Sequence, residues 1–173
     1  MPPFRSAPGR LGRVPRALVA FAFAVLATYL LASVLQTAFV LAGLAEAGAR
    51  FSPSVVLVTV LHDLHGLAFN ALFVSYPLLI AAGLAIAFPV AALVRRWTGA
   101  RRRLLYPLAG AAMMGAMLVL SRLVFYGITL YAGSRGAAGL AGQMLAGALG
   151  GLVFALVLDA VSHRRLTAQE ASP

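Results

Sequence analysis

Long uncharged apolar runs, separated by short basic or polar stretches, set the pattern of this chain. Residues 17–45 carry no charge, which exceeds the roughly 20 residues a bilayer-spanning helix needs. The run is also longer than the apolar core of about 7 to 15 residues in a cleaved secretory leader. It therefore predicts a retained first span, set against the alternative of a leader cut near Ala45-Glu46-Ala47. Next comes Ser52-Pro53, a helix-start pair in which Ser can cap free amides and Pro occupies the first turn, where its missing N–H costs nothing. The segment it opens, Pro53 to His65, is apolar for only about ten residues before His62-Asp63-Leu64-His65, too few to cross a membrane. A short interfacial or re-entrant helix is expected there, broken at Gly66. Further spans follow over 67–94, with Pro77 and Pro89 as candidate kinks, then over 104–126 and 137–161.

This pattern predicts an all-α integral membrane protein. It has four transmembrane helices, an N-in/C-in topology and a short interfacial helix between spans 1 and 2. Residues 1–16 read as a basic disordered tail, 17–161 as the membrane bundle and 162–173 as a cytoplasmic tail.

Composition agrees with that class. Of the 173 residues, 62% are hydrophobic and 10% charged, against about half and a quarter in water-soluble domains. The net charge of +10 would suggest a nucleic-acid partner in a soluble protein, but its distribution argues against that reading. The basic residues are all Arg and cluster at the ends of apolar runs: Arg5, Arg10, Arg13 and Arg16, then Arg95, Arg96, Arg101, Arg102 and Arg103, then Arg164 and Arg165. Only Arg50 and Arg135 fall in loops on the opposite side. Basic loops stay in the cytoplasm, so both termini are expected there, with the Arg clusters meeting the bilayer's anionic lipid headgroups and Trp97 and Tyr106 anchoring the interface. The chain has no Cys, which removes disulfides and thiolate metal sites.

Small residues recur at helical spacing. Ala138, Gly142, Ala146 and Gly150 form one strip on the last span, with Gly147 and Gly151 beside it, and Gly83, Ala87 and Ala91 form another on the second span. Such strips let helix backbones approach closely in lipid. They predict that the last span is central to the bundle, or to a homodimer seam.

Counting at 1.5 Å per residue puts Gln36 about 28 Å and Arg122 about 27 Å from the inner ends of their spans. Asn70 and Gln143 lie at a similar level, counted from the outer face. With His62, Asp63 and His65 above them, these residues form a candidate outward-facing polar cluster. One reading is a binding site in which Arg122 attracts an anion and Asp63 or a histidine moves a proton. The other is a structural one, with Arg122 snorkelling to the headgroups or clamped to Asp63. His62 and His65, spaced i, i+3, share a helix face, but no third metal ligand has a predictable place. Haem held by two histidines of one chain is excluded, because His163 sits at the opposite end from His62 and His65. No nucleophile or paired-carboxylate motif occurs, and no cofactor is expected. Asp159 is expected to pair with Arg164 or Arg165. The inner halves of the spans are Ala, Leu, Val and Gly, which argues against a continuous aqueous path.

The segments Asp63-Leu64-His65-Gly66-Leu67, Ala132-Gly133-Ser134-Arg135-Gly136 and Gly142-Gln143 through Gly150-Gly151 resemble small four-span bacterial inner-membrane proteins of unknown function, over about residues 17–160. The resemblance implies a location in the bacterial inner membrane and no particular activity. Four-span multidrug exporters, by contrast, carry a membrane-embedded glutamate in the first span, and residues 17–45 have none. The expected function is a non-enzymatic structural or accessory subunit with a membrane-protein partner or a second copy of itself. The alternative is a carrier or binder of a small anion or lipid at the polar cluster.

Overall fold

The structure is a computed structural model that describes residues 14–69, 75–124 and 136–170; the side chains of 14, 15, 122, 124 and 162–170 lie outside that description. The described chain is helical: α1 (Val14–Glu46), α2 (Pro53–Phe69), α3 (Tyr76–Thr98), α4 (Arg102–Val124) and α5 (Ala137–Glu170). Among the described residues, four helices, α1, α3, α4 and α5, are long and apolar enough to cross a membrane. The 17-residue α2 has no buried residue and lies against α1 and α3.

The four long helices close into a ring in which α5 packs between α1 and α4, and α3 between α4 and α1. Neighbours run antiparallel: Phe21 of α1 meets Phe88 late in α3, and Gly110 of α4 meets Gly147 of α5. The packing face of α1 inverts the rule for water-soluble helices, whereas α3 turns Ile80, Leu84 and Phe88 inward. On α1, the buried face is Ala20, Ala24, Thr28 and Ala32, flanked by Tyr29, Ser33, Gln36 and Thr37, while Leu18, Phe23, Leu26, Leu30 and Val34 are exposed. In lipid, a large apolar side chain gains little by turning inward, so close backbone approach and hydrogen bonding decide which face is buried.

The glycines show how close that approach is. A Cβ on Gly110 would stand 2.0 Å from the Gly147 carbonyl oxygen, and one on Gly151 would stand 2.1 Å from that of Tyr106. On the other side of α5, a Cβ on Gly150 would meet Thr28 Oγ1 at 1.8 Å, and one on Gly142 would meet the Phe39 ring at 2.7 Å. The strip through Gly142 and Gly150 therefore serves α1, and Gly147 with Gly151 serves α4. At the Arg-rich end the core is aromatic: Phe88 stacks on Phe154 with centroids 4.3 Å apart, and Tyr106 sits edge-on to both.

Several boundaries differ from the sequence expectation. Gly66 does not break the second helix: α2 runs through it to Phe69, and Leu67 and Ala68 pack against the core. An isolated Gly costs a helix about 1 kcal/mol, which packing overrides. The next span begins at Tyr76 rather than Leu67, with Pro77 in its first turn and the Ser75 carbonyl accepting from the Leu78 and Leu79 amides. Pro77 thus starts a helix instead of kinking one, as its fixed φ and missing donor favour, while Pro89 remains inside α3. Ser52 Oγ caps α2 through the Val55 amide at 3.4 Å. At the Arg-rich turn, Gly99 adopts φ 65° and its amide closes α3 onto the Arg95 carbonyl. Glycine bears that left-handed conformation without a Cβ penalty. Finally, α5 continues to Glu170, so most of the segment expected as a tail after residue 161 is helical.

Candidate functional site

Polar side chains collect where α1, α2, α3 and α5 meet. On α1, Tyr29, Ser33, Gln36 and Thr37 recur at i, i+4, i+7 and i+8, so they share one face, and all four are buried. From α2, the Asp63 carboxylate accepts a hydrogen bond from the Thr37 hydroxyl at 2.8 Å. The Tyr29 hydroxyl donates to the Leu64 carbonyl, a second tie between α1 and α2. From α5, the fully buried Gln143 uses both ends of its amide. Its Oε1 accepts from the Tyr76 hydroxyl of α3 at 3.0 Å, and its Nε2 donates to the Ala32 carbonyl of α1 at 3.0 Å. Tyr29 and Tyr76 also meet edge-on with ring centroids 6.5 Å apart.

Two buried atoms have no hydrogen-bond partner among the described residues: Ser33 Oγ and Gln36 Oε1. An unpaired buried polar group costs roughly 1–3 kcal/mol, so these two define the one part of the region that is not satisfied within the described chain. Both lie on the face of α1 between the Tyr29 and Thr37 contacts.

The candidate cluster is thus only partly assembled. Gln36, Asp63 and Gln143 are brought into the region, and Gln143 is central to it. His62 and His65 are not. The His62 side chain is 84% exposed, 3.9 Å from the neighbouring Asp63 carboxylate, and His65 is exposed and rests against the Phe69 ring at 5.0 Å. The helical turn of about 100° per residue explains the split, since Asp63 and Leu64 face α1 and the two histidines face away. Asn70 and the Arg122 side chain lie outside the described residues, so the Asp63–Arg122 clamp does too; the described partner of Asp63 on another helix is Thr37. Among the described residues, no three His, Asp or Glu side chains converge on a metal-sized point.

Tyr29, Ser33, Thr37 and Tyr76 carry much of the site, and the sequence reading did not single them out. The available signal was a polar periodicity on α1 inside an otherwise apolar run. At the other end of the bundle, Asp159 pairs across helices. Its Oδ2 accepts from Arg103 Nε at 3.1 Å, and its Oδ1 lies 3.9 Å from Arg102. The expected partners Arg164 and Arg165 have side chains outside the described residues; the described partners come from α4, because the antiparallel α4–α5 contact brings the start of α4 to this level of α5. Comparison of the chain with protein-family models, with curated proteins and with solved structures finds no match to any of them.

Proposed function

We propose that this chain is a non-enzymatic, multi-pass subunit of a bacterial inner membrane, with both termini cytoplasmic, that works by presenting a rigid helical surface to a membrane-protein partner. The observation that supports this reading most directly is the use made of Gln143, whose amide joins α1, α3 and α5. Asp63 and Tyr29 are likewise engaged in holding α2 to α1. Each of these bonds joins one helix to another, the use expected of a scaffold. The basic ends of the spans support the orientation, and α2, apolar yet too short to cross, fits a helix lying at the outer interface.

The test is affinity purification in mild detergent through a C-terminal tag, with co-purifying proteins quantified by mass spectrometry. A partner at stoichiometric yield is expected. Recovery of the chain alone, across several detergents, counts against the subunit reading.

A second reading rests on Ser33 Oγ and Gln36 Oε1, the unpaired buried atoms. In that reading they receive a small polar ligand, such as an anion carrying a proton or a lipid headgroup, from the α2 side of the bundle. Retention of one small molecule by the wild-type chain, lost in Gln36→Leu, would favour it over the subunit reading.

A further inference from the structure

The α3–α4 face holds two adjoining features that neither functional reading uses. At membrane depth an open apolar groove of about 640 Å³ runs between the two helices. It exists because its floor is made of small side chains: Gly83, Ala87 and Ala91 on α3, and Ala109, Ala112 and Ala116 on α4. It extends along α3 from Gly83 to Val94 and along α4 from Leu105 to Leu120. At 1.5 Å per residue these are about 16 Å and about 22 Å, the first the depth of one leaflet of a hydrocarbon core about 30 Å thick and the second about half as much again.

Directly beyond Val94 and Leu105 lies the second feature, a polar pocket of about 500 Å³ lined by Arg95, Arg101, Arg102, Arg103 and Asp159. Among the described residues four arginines line it with a single carboxylate, and that carboxylate is already engaged with Arg103 and Arg102. Arg101, Arg102 and Arg103 moreover crowd the start of α4, where the helix dipole presents its positive end. Cations at that end repel it, so the pocket as it stands is short of negative charge. Trp97, 79% exposed beside it, marks the level as that of the headgroups.

We infer that the α3–α4 face binds one anionic phospholipid of the leaflet at the Arg-rich end, its phosphate among Arg95, Arg101 and Arg102 and an acyl chain in the small-residue groove. The charge of the pocket selects this occupant. A second copy of the chain, docked symmetrically on the same face, would bring an identical set of arginines to the same level, and a neutral lipid would leave their charge unbalanced. Basic pockets between transmembrane helices are suited to anionic headgroups for the same electrostatic reason. The inference stands apart from the subunit reading, since lipid retention and partner recovery are read in separate measurements.

The experiment is native mass spectrometry of the purified full chain in detergent, titrated with phosphatidylglycerol or with phosphatidylcholine of the same acyl chains. The wild type is expected to retain one phosphatidylglycerol about tenfold more tightly than phosphatidylcholine. Arg95→Gln with Arg101→Gln should bring the two lipids to equal affinity. Ala112→Phe, which fills the groove from an exposed position on α4, should weaken both. Ala116→Leu serves as the second groove variant if the first fails to fold by circular dichroism. Equal affinity for the two lipids in the wild type overturns the proposal. So does a preference that survives the arginine substitutions, lipid retention unchanged by groove filling, or a dimer mass that groove filling abolishes.

Discussion

Replacing Gln143 with Leu removes the acceptor for the Tyr76 hydroxyl and the donor to the Ala32 carbonyl, the two bonds that tie α5 to α3 and α1. Interhelical hydrogen bonds in membranes are worth about 0.6 kcal/mol on average, so Gln143→Leu should cost about 1–2 kcal/mol, read by denaturant titration of the protein in bicelles. Ser33 behaves oppositely, because its Oγ is buried without a partner among the described residues. Ser33→Ala should leave stability unchanged or raise it by up to about 1 kcal/mol, the desolvation cost recovered when an unpaired hydroxyl is removed. A clear loss in the same titration would show that Ser33 holds something in the folded protein. Of these residues, Gln143, Gln36 and Asp63 could be singled out from the sequence, since a carboxylate or carboxamide within an apolar run is conspicuous. Tyr29, Ser33 and Thr37 show only as a faint polar periodicity on α1 and Tyr76 not at all, because hydroxyls are ordinary in membrane helices and only the packing shows which of them find partners.

At the scale of the element, the glycines separate into those that packing requires and those it does not. Gly147 is of the first kind: a Cβ there would lie 2.3 Å from the Gly110 carbonyl oxygen and 2.6 Å from Met114 Cγ. Gly147→Ala must push α4 and α5 apart and should cost about 3 kcal/mol, as overpacking does when backbone cannot yield. Gly66 is of the second kind, with nothing within 4 Å of its would-be Cβ. Gly66→Ala should stabilise α2 by up to about 1 kcal/mol through helix propensity, visible as a rise in thermal midpoint. A fall would mean that α2 needs to flex at this point. The strip of small residues on α5 was legible before the structure, and it is the strip that meets α1 and α4. The matching face of α1, Ala20, Ala24, Thr28 and Ala32, was not picked out, because alanines without glycines blend into any apolar run. The α2–α3 boundary differs from the sequence expectation for a related reason: Gly66 has the composition of a break, while the start signal is Ser75 with Pro77.

For the whole molecule, the orientation proposal predicts that an alkaline phosphatase reporter is active when fused at Ala49 and inactive when fused at Ala100 or at the C-terminus; the reverse pattern would overturn it. The interhelical pair of Asp159 with Arg103 and Arg102 is part-exposed, so Asp159→Asn should change stability by less than about 1 kcal/mol and by less still at high salt. What the sequence by itself determined is the all-helical class, the four runs able to cross a bilayer and the asymmetry of basic charge, since each of these depends only on the length and composition of contiguous segments. The tertiary structure alone decided which face of each span turns inward, which polar groups meet, and that the histidines of α2 are left out of the polar region. In water the apolar face of a helix announces its own burial. In lipid an apolar face can turn either way, so the inward face is chosen by the fit of one backbone against another and by hydrogen bonds between residues as far apart in sequence as Ala32 and Gln143.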